Sequence, residues 1–346
     1  MSGRELPLPL QRERAAAKAA SSAGAFYVKK PLADVRASAD QGAELVTQVL
    51  WGDKVKVLQQ VGDWLYGQVP DGYLGWLQKK DIVLEKPPAG KDLAAVIVAR
   101  ARLYQGPDAG RAIVGELLMG TDLPLIQVLE EWVEVWLPGQ GRAWLPRLEV
   151  EIWPGGKLEG ERSGRDVLRT AERLQGVAYL WGGISCYGID CSGLAYIAYY
   201  LNGVNLPRDA DQQYAVGEPV AAADLQAGDL VFFNTEGTGE LPTHVGIYNA
   251  NGYFLNSRSP LGVVVSSLEE PHFVGTYLGA RRYLVPPEKL KVRGPKKARY
   301  LTKTEGVPIP WIESCKCRNK QEKPAGGTPM INIRHITSIS CGVMIC

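Results

Sequence analysis

The sequence repeats itself at an interval of 68 residues. Gly52 is matched by Gly120, Trp64 by Trp132, Pro70 by Pro138, Trp76 by Trp144 and Leu77 by Leu145. In the first copy, short β-prone runs (Ala43 to Leu50, Lys54 to Gln60, Trp64 to Val69, Gly72 to Leu77) are separated by Gly52-Asp53, Gly62-Asp63 and Pro70-Asp71-Gly72. Turn residues at such close intervals cut the chain into strands that suit only a small antiparallel unit. The spacing therefore predicts two consecutive small all-β domains built on one plan. The copies also differ. Glu44 is replaced by Ala112 and Tyr73 by Gly141 while the surrounding scaffold is kept. A side chain present in one copy and dropped from its twin is not demanded by the scaffold, which makes Glu44 and Tyr73 candidates for work outside it.

After the second copy the periodicity changes. Lys86-Pro87-Pro88-Ala89-Gly90 separates the two β units, and Pro154-Gly155-Gly156 to Gly164 leads to a third region. There Val167, Leu168, Ala171 and Leu174 recur at helical spacing, predicting a helix from Arg165 to Leu174. Further helices are expected from Cys191 to about Leu201 and from Asp209 to Val216. Strands are expected at Leu230 to Phe233, Thr243 to Tyr248, Tyr253 to Leu255, Val263 to Ser266 and Phe273 to Arg282. Helices first and antiparallel strands afterwards make an α+β domain. The expected organisation is an arm over 1–25, with a short helix from Gln11 to Ala20, then β domains at 26–86 and 91–153. The α+β domain at 160–287 and a basic, irregular extension at 288–346 complete it.

Chemistry concentrates in the third region. Cys191 follows Asp190 and precedes Ser192-Gly193 and an apolar run, which reads as a thiol at a helix N-terminus with Asp190 as the cap. A helix N-terminus and a nearby imidazolium both lower a thiol pKa, so Cys191 is expected to be an activated nucleophile. Of three histidines, His244 alone lies in an apolar, β-branched stretch. Asn256 ends the next short strand, across the turn Asn249-Ala250-Asn251-Gly252, so a hairpin would bring the two together. A Cys, a His and a polar residue orienting the imidazole form the generalised catalytic triad.

Residues 165 to about 284 resemble the NlpC/P60 family of papain-like cysteine peptidases. The resemblance rests on Tyr179, Trp181-Gly182-Gly183, Asp190-Cys191-Ser192-Gly193, Leu206-Pro207-Arg208-Asp209, Ala227-Gly228-Asp229-Leu230 and His244-Val-Gly-Ile-Tyr248, in the family's order. The family commonly has His where this chain has Asn256. The repeated units are similar to bacterial SH3 barrels. The resemblance implies cleavage of peptidoglycan stem peptides between γ-D-glutamate and a diamino acid, with Cys191, His244 and Asn256 catalytic and Tyr179 on the oxyanion. In relatives with two barrels, the first walls off the substrate cleft and the substrate carries a free N-terminal L-Ala. On that basis Asp209, Glu44 and Tyr73 are expected at the ammonium, and Asp190 and Ser192 among the substrate-binding residues.

Charge excludes one class of partner. Residues 285–346 carry 12 Lys and Arg against 4 acidic residues, which leaves 27 against 33 before them, so the folded part is acidic and unsuited to nucleic acid. No apolar stretch suits a membrane span or the core of a signal peptide, so the expectation is a cytoplasmic monomer acting on released peptides, with export by a non-classical route as the alternative. Cys315, Cys317, Cys341, Cys346 and His335 fit no common zinc spacing, and neither metal nor cofactor is expected. The competing functions are hydrolysis of intact wall, an amidase or acyltransferase reaction on the same fold, and wall binding by a spent catalytic domain.

Overall fold

The computed structural model describes residues 25–237 and 240–284. The expected arm helix and the basic extension with its four cysteines lie outside the described residues. The first barrel contains β1 (Ala25–Val28), β2 (Leu32–Arg36), β3 (Leu45–Leu50), β4 (Lys54–Val61), β5 (Trp64–Gln68), β6 (Leu74–Gln78) and β7 (Ile82–Glu85). The second contains β8 (Leu93–Val96), β9 (Arg100–Tyr104), β10 (Ile113–Leu118), β11 (Asp122–Val128), β12 (Trp132–Leu137), β13 (Gly141–Pro146) and β14 (Val150–Trp153). Their strand orders, β3-β2-β6-β5-β4-β1-β7 and β10-β9-β13-β12-β11-β8-β14, are the same once seven is added to each number. Each barrel closes on its own apolar core, Val28, Val35, Val49, Leu65 and Leu77 in one and Val96, Leu103, Leu117, Val135 and Leu145 in the other. The repeat read from the sequence is thus a repeat of architecture.

The third domain adds α1 (Gly164–Glu172), the two-stranded β15 (Ile184–Ser185) and β16 (Gly188–Ile189), α2 (Cys191–Tyr200) and α3 (Ala210–Val216). Next come β17 (Glu218–Val220), β18 (Leu230–Phe233), β19 (His244–Ala250), β20 (Tyr253–Arg258), β21 (Gly262–Ser267), α4 (Pro271–Val274) and β22 (Tyr277–Arg282). The sheet order is β17-β22-β18-β19-β20-β21, and α1 and α2 bury Val167, Ala171, Leu194 and Ala198 in one core with Phe232, Val245 and Leu255. Two expectations need correction. The run from Phe273 to Arg282 is not one strand: Pro271 opens a helical turn, and pairing begins only at Tyr277. The loop between β19 and β20 is tighter than the expected four residues, because Asn251 and Gly252 both take positive φ, 52° and 81°, as a two-residue hairpin turn demands.

The domains pack through mixed apolar and polar contacts. Leu50 of the first barrel and Leu118, Met119 and Trp153 of the second are buried in the same core as Ile197 and Leu201 of the third domain. Between the barrels, the Trp51 indole donates to the Pro138 carbonyl at 3.1 Å, and Tyr27 meets Trp136 edge-on. The β15–β16 hairpin is held by equivalent positions of the two barrels. Gln48 Oε1 accepts from the Ile184 N–H at 3.3 Å, and Glu116, its counterpart 68 residues on, accepts from the Tyr187 hydroxyl.

Candidate active site

Cys191 is the first residue of α2, and Asp190 is its N-cap. Asp190 Oδ1 accepts from the Gly193 N–H at 2.6 Å and Oδ2 from the Gly182 N–H at 2.8 Å, so one carboxylate ties the helix start to the Trp181-Gly182-Gly183 run. Gly182 has a positive φ of 74°, and a Cβ there would lie 2.5 Å from the Leu45 carbonyl oxygen of the first barrel. Glycine is needed for both reasons. Arg208 grips both Asp190 oxygens, Nη1 to Oδ1 at 2.9 Å and Nη2 to Oδ2 at 2.7 Å, and is itself only 1% exposed. Such a bidentate pair is geometrically strict.

His244 begins β19 and Asn256 lies in β20. Ile247 pairs with Leu255, and continuing that register sets Gly246 opposite Asn256, with His244 on the same face two residues away. The His244 Nε2 to Asn256 Oδ1 distance is 3.0 Å. Asn256 Nδ2 donates to the Val264 carbonyl at 3.3 Å and the Ser266 hydroxyl at 3.0 Å. The amide nitrogen is thus committed to acceptors, which leaves its oxygen for the ring. Nε2 therefore carries the proton when the imidazole is neutral, and Nδ1 keeps the free lone pair.

The electrostatics overturn one expectation. Burial, reinforced by the Asp190 charge, pushes the Cys191 thiol up to about 12, against the lowering by the N–H groups of Val245 and Ser192 and by Arg208. Burial also pulls His244 down to about 4, opposed by its bond to Asn256. Desolvation outweighs the helix N-terminus at this depth. Both shifts favour the neutral forms, and the bond to Asn256 fixes which imidazole nitrogen is basic.

A cleft of about 290 Å³ opens over Cys191, lined also by Tyr179, Trp181, Asp190, Ser192 and Asp209 of the third domain and by Glu44 and Tyr73 of the first barrel. Tyr179 is bridged to Ile189, just before the cap, and burial next to the thiol raises its hydroxyl well above the usual range. The Tyr73 hydroxyl donates to Asp209 Oδ2, and the Trp181 indole donates to Glu44 Oε1 at 3.0 Å. Asp209 precedes α3 but its side chain makes no capping bond, and burial raises its carboxyl. Asp190 and Ser192 are turned partly inward, for Ser192 Oγ donates to Asp190 Oδ1 at 3.2 Å and accepts from Arg208 at 3.0 Å. Cys186 lies in the β15–β16 turn region, away from this lining. No group of His, Cys, Asp and Glu suited to a metal occurs among the described residues.

Sequence reasoning quoted Arg208 and Trp181 only as motif residues and Asp71 only as a turn residue, giving none of them a place in the site, and did not single out Thr47. A signal existed for two of them. At the 68-residue offset Thr47 becomes Gly115 and Asp71 becomes Gly139, the same pattern that singled out Glu44 and Tyr73.

The NlpC/P60 family model matches residues 176–282, and that of the bacterial dipeptidyl-peptidase Sh3 domain matches residues 35–82. A gamma-D-glutamyl-L-lysine dipeptidyl-peptidase of Bacillus cereus is 32% identical over 254 residues, covering 70% of this chain and 76% of that one. Its counterpart in Bacillus subtilis is 34% identical over 246 residues, covering 68% and 80%. The crystal structure of an NlpC/P60 family protein from Bacillus cereus superposes with a TM-score of 0.69 at 26% identity, covering 75% of this chain and 99% of that one. The chain therefore belongs to the NlpC/P60 family of peptidases.

Proposed function

We propose that this protein is a cysteine peptidase that hydrolyses the bond between γ-D-glutamate and the diamino acid in peptidoglycan-derived peptides bearing a free N-terminal L-Ala. The observation that carries the reading is the shared cleft. Tyr73 and Glu44 of the first barrel line it together with Asp209, to which the Tyr73 hydroxyl donates, and Cys191 lies in the same lining. A half-buried carboxylate, Asp209, with the Tyr73 hydroxyl beside it suits an ammonium group, which is costly to bury unpaired. The names of the two Bacillus relatives support the same class of substrate.

In the mechanism, His244 Nδ1 takes the Cys191 proton as the sulfur attacks the amide carbonyl carbon. The imidazolium is held through Nε2–H by Asn256 Oδ1 and returns the proton to the leaving amine nitrogen as the C–N bond breaks. Water then hydrolyses the thioester, with His244 acting as base again, to release the carboxylate and restore the thiol. The Cys191 N–H and the Tyr179 hydroxyl serve as oxyanion donors, each typically worth about 2.7 to 4 kcal/mol. Asp190 holds the helix start, and Ser192 lies in the lining, where its hydroxyl would turn from Asp190 to donate to the substrate's carboxylate. A cleft lined by two domains suits small released peptides, so we place the reaction in the recycling of cell-wall fragments in the cytoplasm.

The test is kcat/KM on L-Ala-γ-D-Glu-diaminopimelate, its lysine analogue, the N-acetylated peptide and intact sacculi. Acetylation removes the charge that Asp209 and its neighbours would pair with, and is expected to cost on the order of a hundredfold. Comparable rates on all substrates overturn the reading.

A further inference from the structure

Arg208 has five N–H groups, and each has one acceptor. Four bonds stay within the third domain: two to Asp190, one to Ser192 Oγ at 3.0 Å and one to the Gly183 carbonyl at 3.2 Å. The fifth, from Nε, crosses to the first barrel and ends on Thr47 Oγ1 at 3.1 Å. Thr47 is fully buried, and its hydroxyl proton is directed to Asp71 Oδ2 at 2.7 Å, which leaves its lone pairs for the guanidinium. Asp71 Oδ1 in turn accepts from the Tyr73 N–H at 2.9 Å. One barrel turn therefore reaches two successive residues of the third domain, Arg208 through Thr47 and Asp209 through Tyr73.

The barrel itself does not require these side chains. Thr47 stands opposite Val35 as Gly115 stands opposite Leu103, so the two positions are equivalent by register as well as by spacing. The second barrel closes with glycine at that position and glycine at 139 in place of Asp71. What the pair supplies is completion of the shell around a buried guanidinium, whose other donors hold the cap of the nucleophile helix. A donor at that depth has no solvent to replace a lost partner, and its freedom passes directly to Asp190, the neighbour of Cys191.

We propose that Thr47 and Asp71 are positioning residues for the nucleophile, so that the first barrel aims Cys191 as well as bounding the cleft. The proposal rests on Cys191 being the nucleophile of the reading above. In the full chain, Thr47→Val keeps the shape and removes the hydroxyl. It is expected to lower kcat on the order of tenfold with KM changed less than about twofold, and to slow iodoacetamide alkylation at Cys191, followed by peptide mapping, by a similar factor. Thr47→Ser restores the hydroxyl and should recover most of both losses. Asp71→Asn, which with Oδ1 kept on the Tyr73 N–H sets an amide NH2 where Oδ2 accepted the Thr47 proton, should move both readouts in the same direction and serves if the valine variant does not fold. Unchanged kcat and alkylation in variants that merely melt earlier overturn the proposal, as does a rise in KM alone. If the wild type fails to cleave the peptide, the functional reading falls, and the alkylation comparison still decides the positioning role.

Discussion

The two barrels share a strand order and a core pattern, yet they meet the third domain with different chemistry. The first presents Glu44, Thr47, Asp71 and Tyr73 to the neighbourhood of Cys191. At the equivalent positions the second has Ala112, Gly115, Gly139 and Gly141. Its polar links run instead to the far end of the Cys191 helix, where the Tyr200 hydroxyl donates to Asp122 at 2.8 Å, to the β15–β16 turn, and to Arg162 and Arg173 on either side of α1. With two copies of one scaffold, positions that the scaffold does not require line a cleft in the first, while the second keeps a supporting role.

The scale for testing this contrast is set by Cys191→Ala, which should remove hydrolysis altogether while Cys186→Ala retains it. Equal loss from both would break the assignment on which the contrast depends.

Exchanging first-barrel residues for those of the twin is the direct test. Tyr73→Gly with Glu44→Ala should lower kcat/KM for the free peptide on the order of a hundredfold, since an ammonium in the cleft loses its partners beside Asp209. The same pair should narrow the difference between free and N-acetylated peptide. A drop that is equal for both substrates would mean that the barrel merely shapes the cleft.

Acid separates the domains by another route, because neither barrel contains a histidine. His244 is buried neutral with its pKa pulled from 6.5 to about 4. The unfolded chain binds a proton in that window and the folded chain does not, so this contribution to stability is whole above pH 6.5 and is lost as pH falls through 4. It is worth roughly 3 kcal/mol. Urea unfolding across this range should show a steeper acid decline for the wild type than for His244→Ala. Identical slopes would place the acid sensitivity elsewhere.

Tyr200→Phe gives the smallest expected effect and probes the second barrel. Losing the bond to Asp122 should cost about 1 kcal/mol of stability, with kcat/KM within about twofold of the wild type. A large catalytic loss here would erase the division of labour between the barrels.

Much of this molecule is written in local pattern. The 68-residue repeat, the glycine-punctuated strands, the helix beginning at Cys191 and the proximity of His244 to Asn256 depend on residues near one another in sequence, where turn preference, capping and strand alternation act. The comparison of copies reached further, to Glu44 and Tyr73, because a duplicated scaffold acts as its own control. Local pattern failed at Phe273 and Val274, which were read as the start of a strand and belong to the helical turn that Pro271 opens. Only the tertiary structure decided the ionisation of the site. A helix N-terminus is visible in sequence and argues for a low thiol pKa, whereas desolvation is the sum of everything packed around the sulfur, and here it prevails. The same holds for Arg208. Its five donors are satisfied by groups from residue 47 to residue 192, and no spacing rule joins Thr47 to a guanidinium 161 positions away. Packing brings those groups together, and the cost of a buried unpaired charge then fixes what each must do.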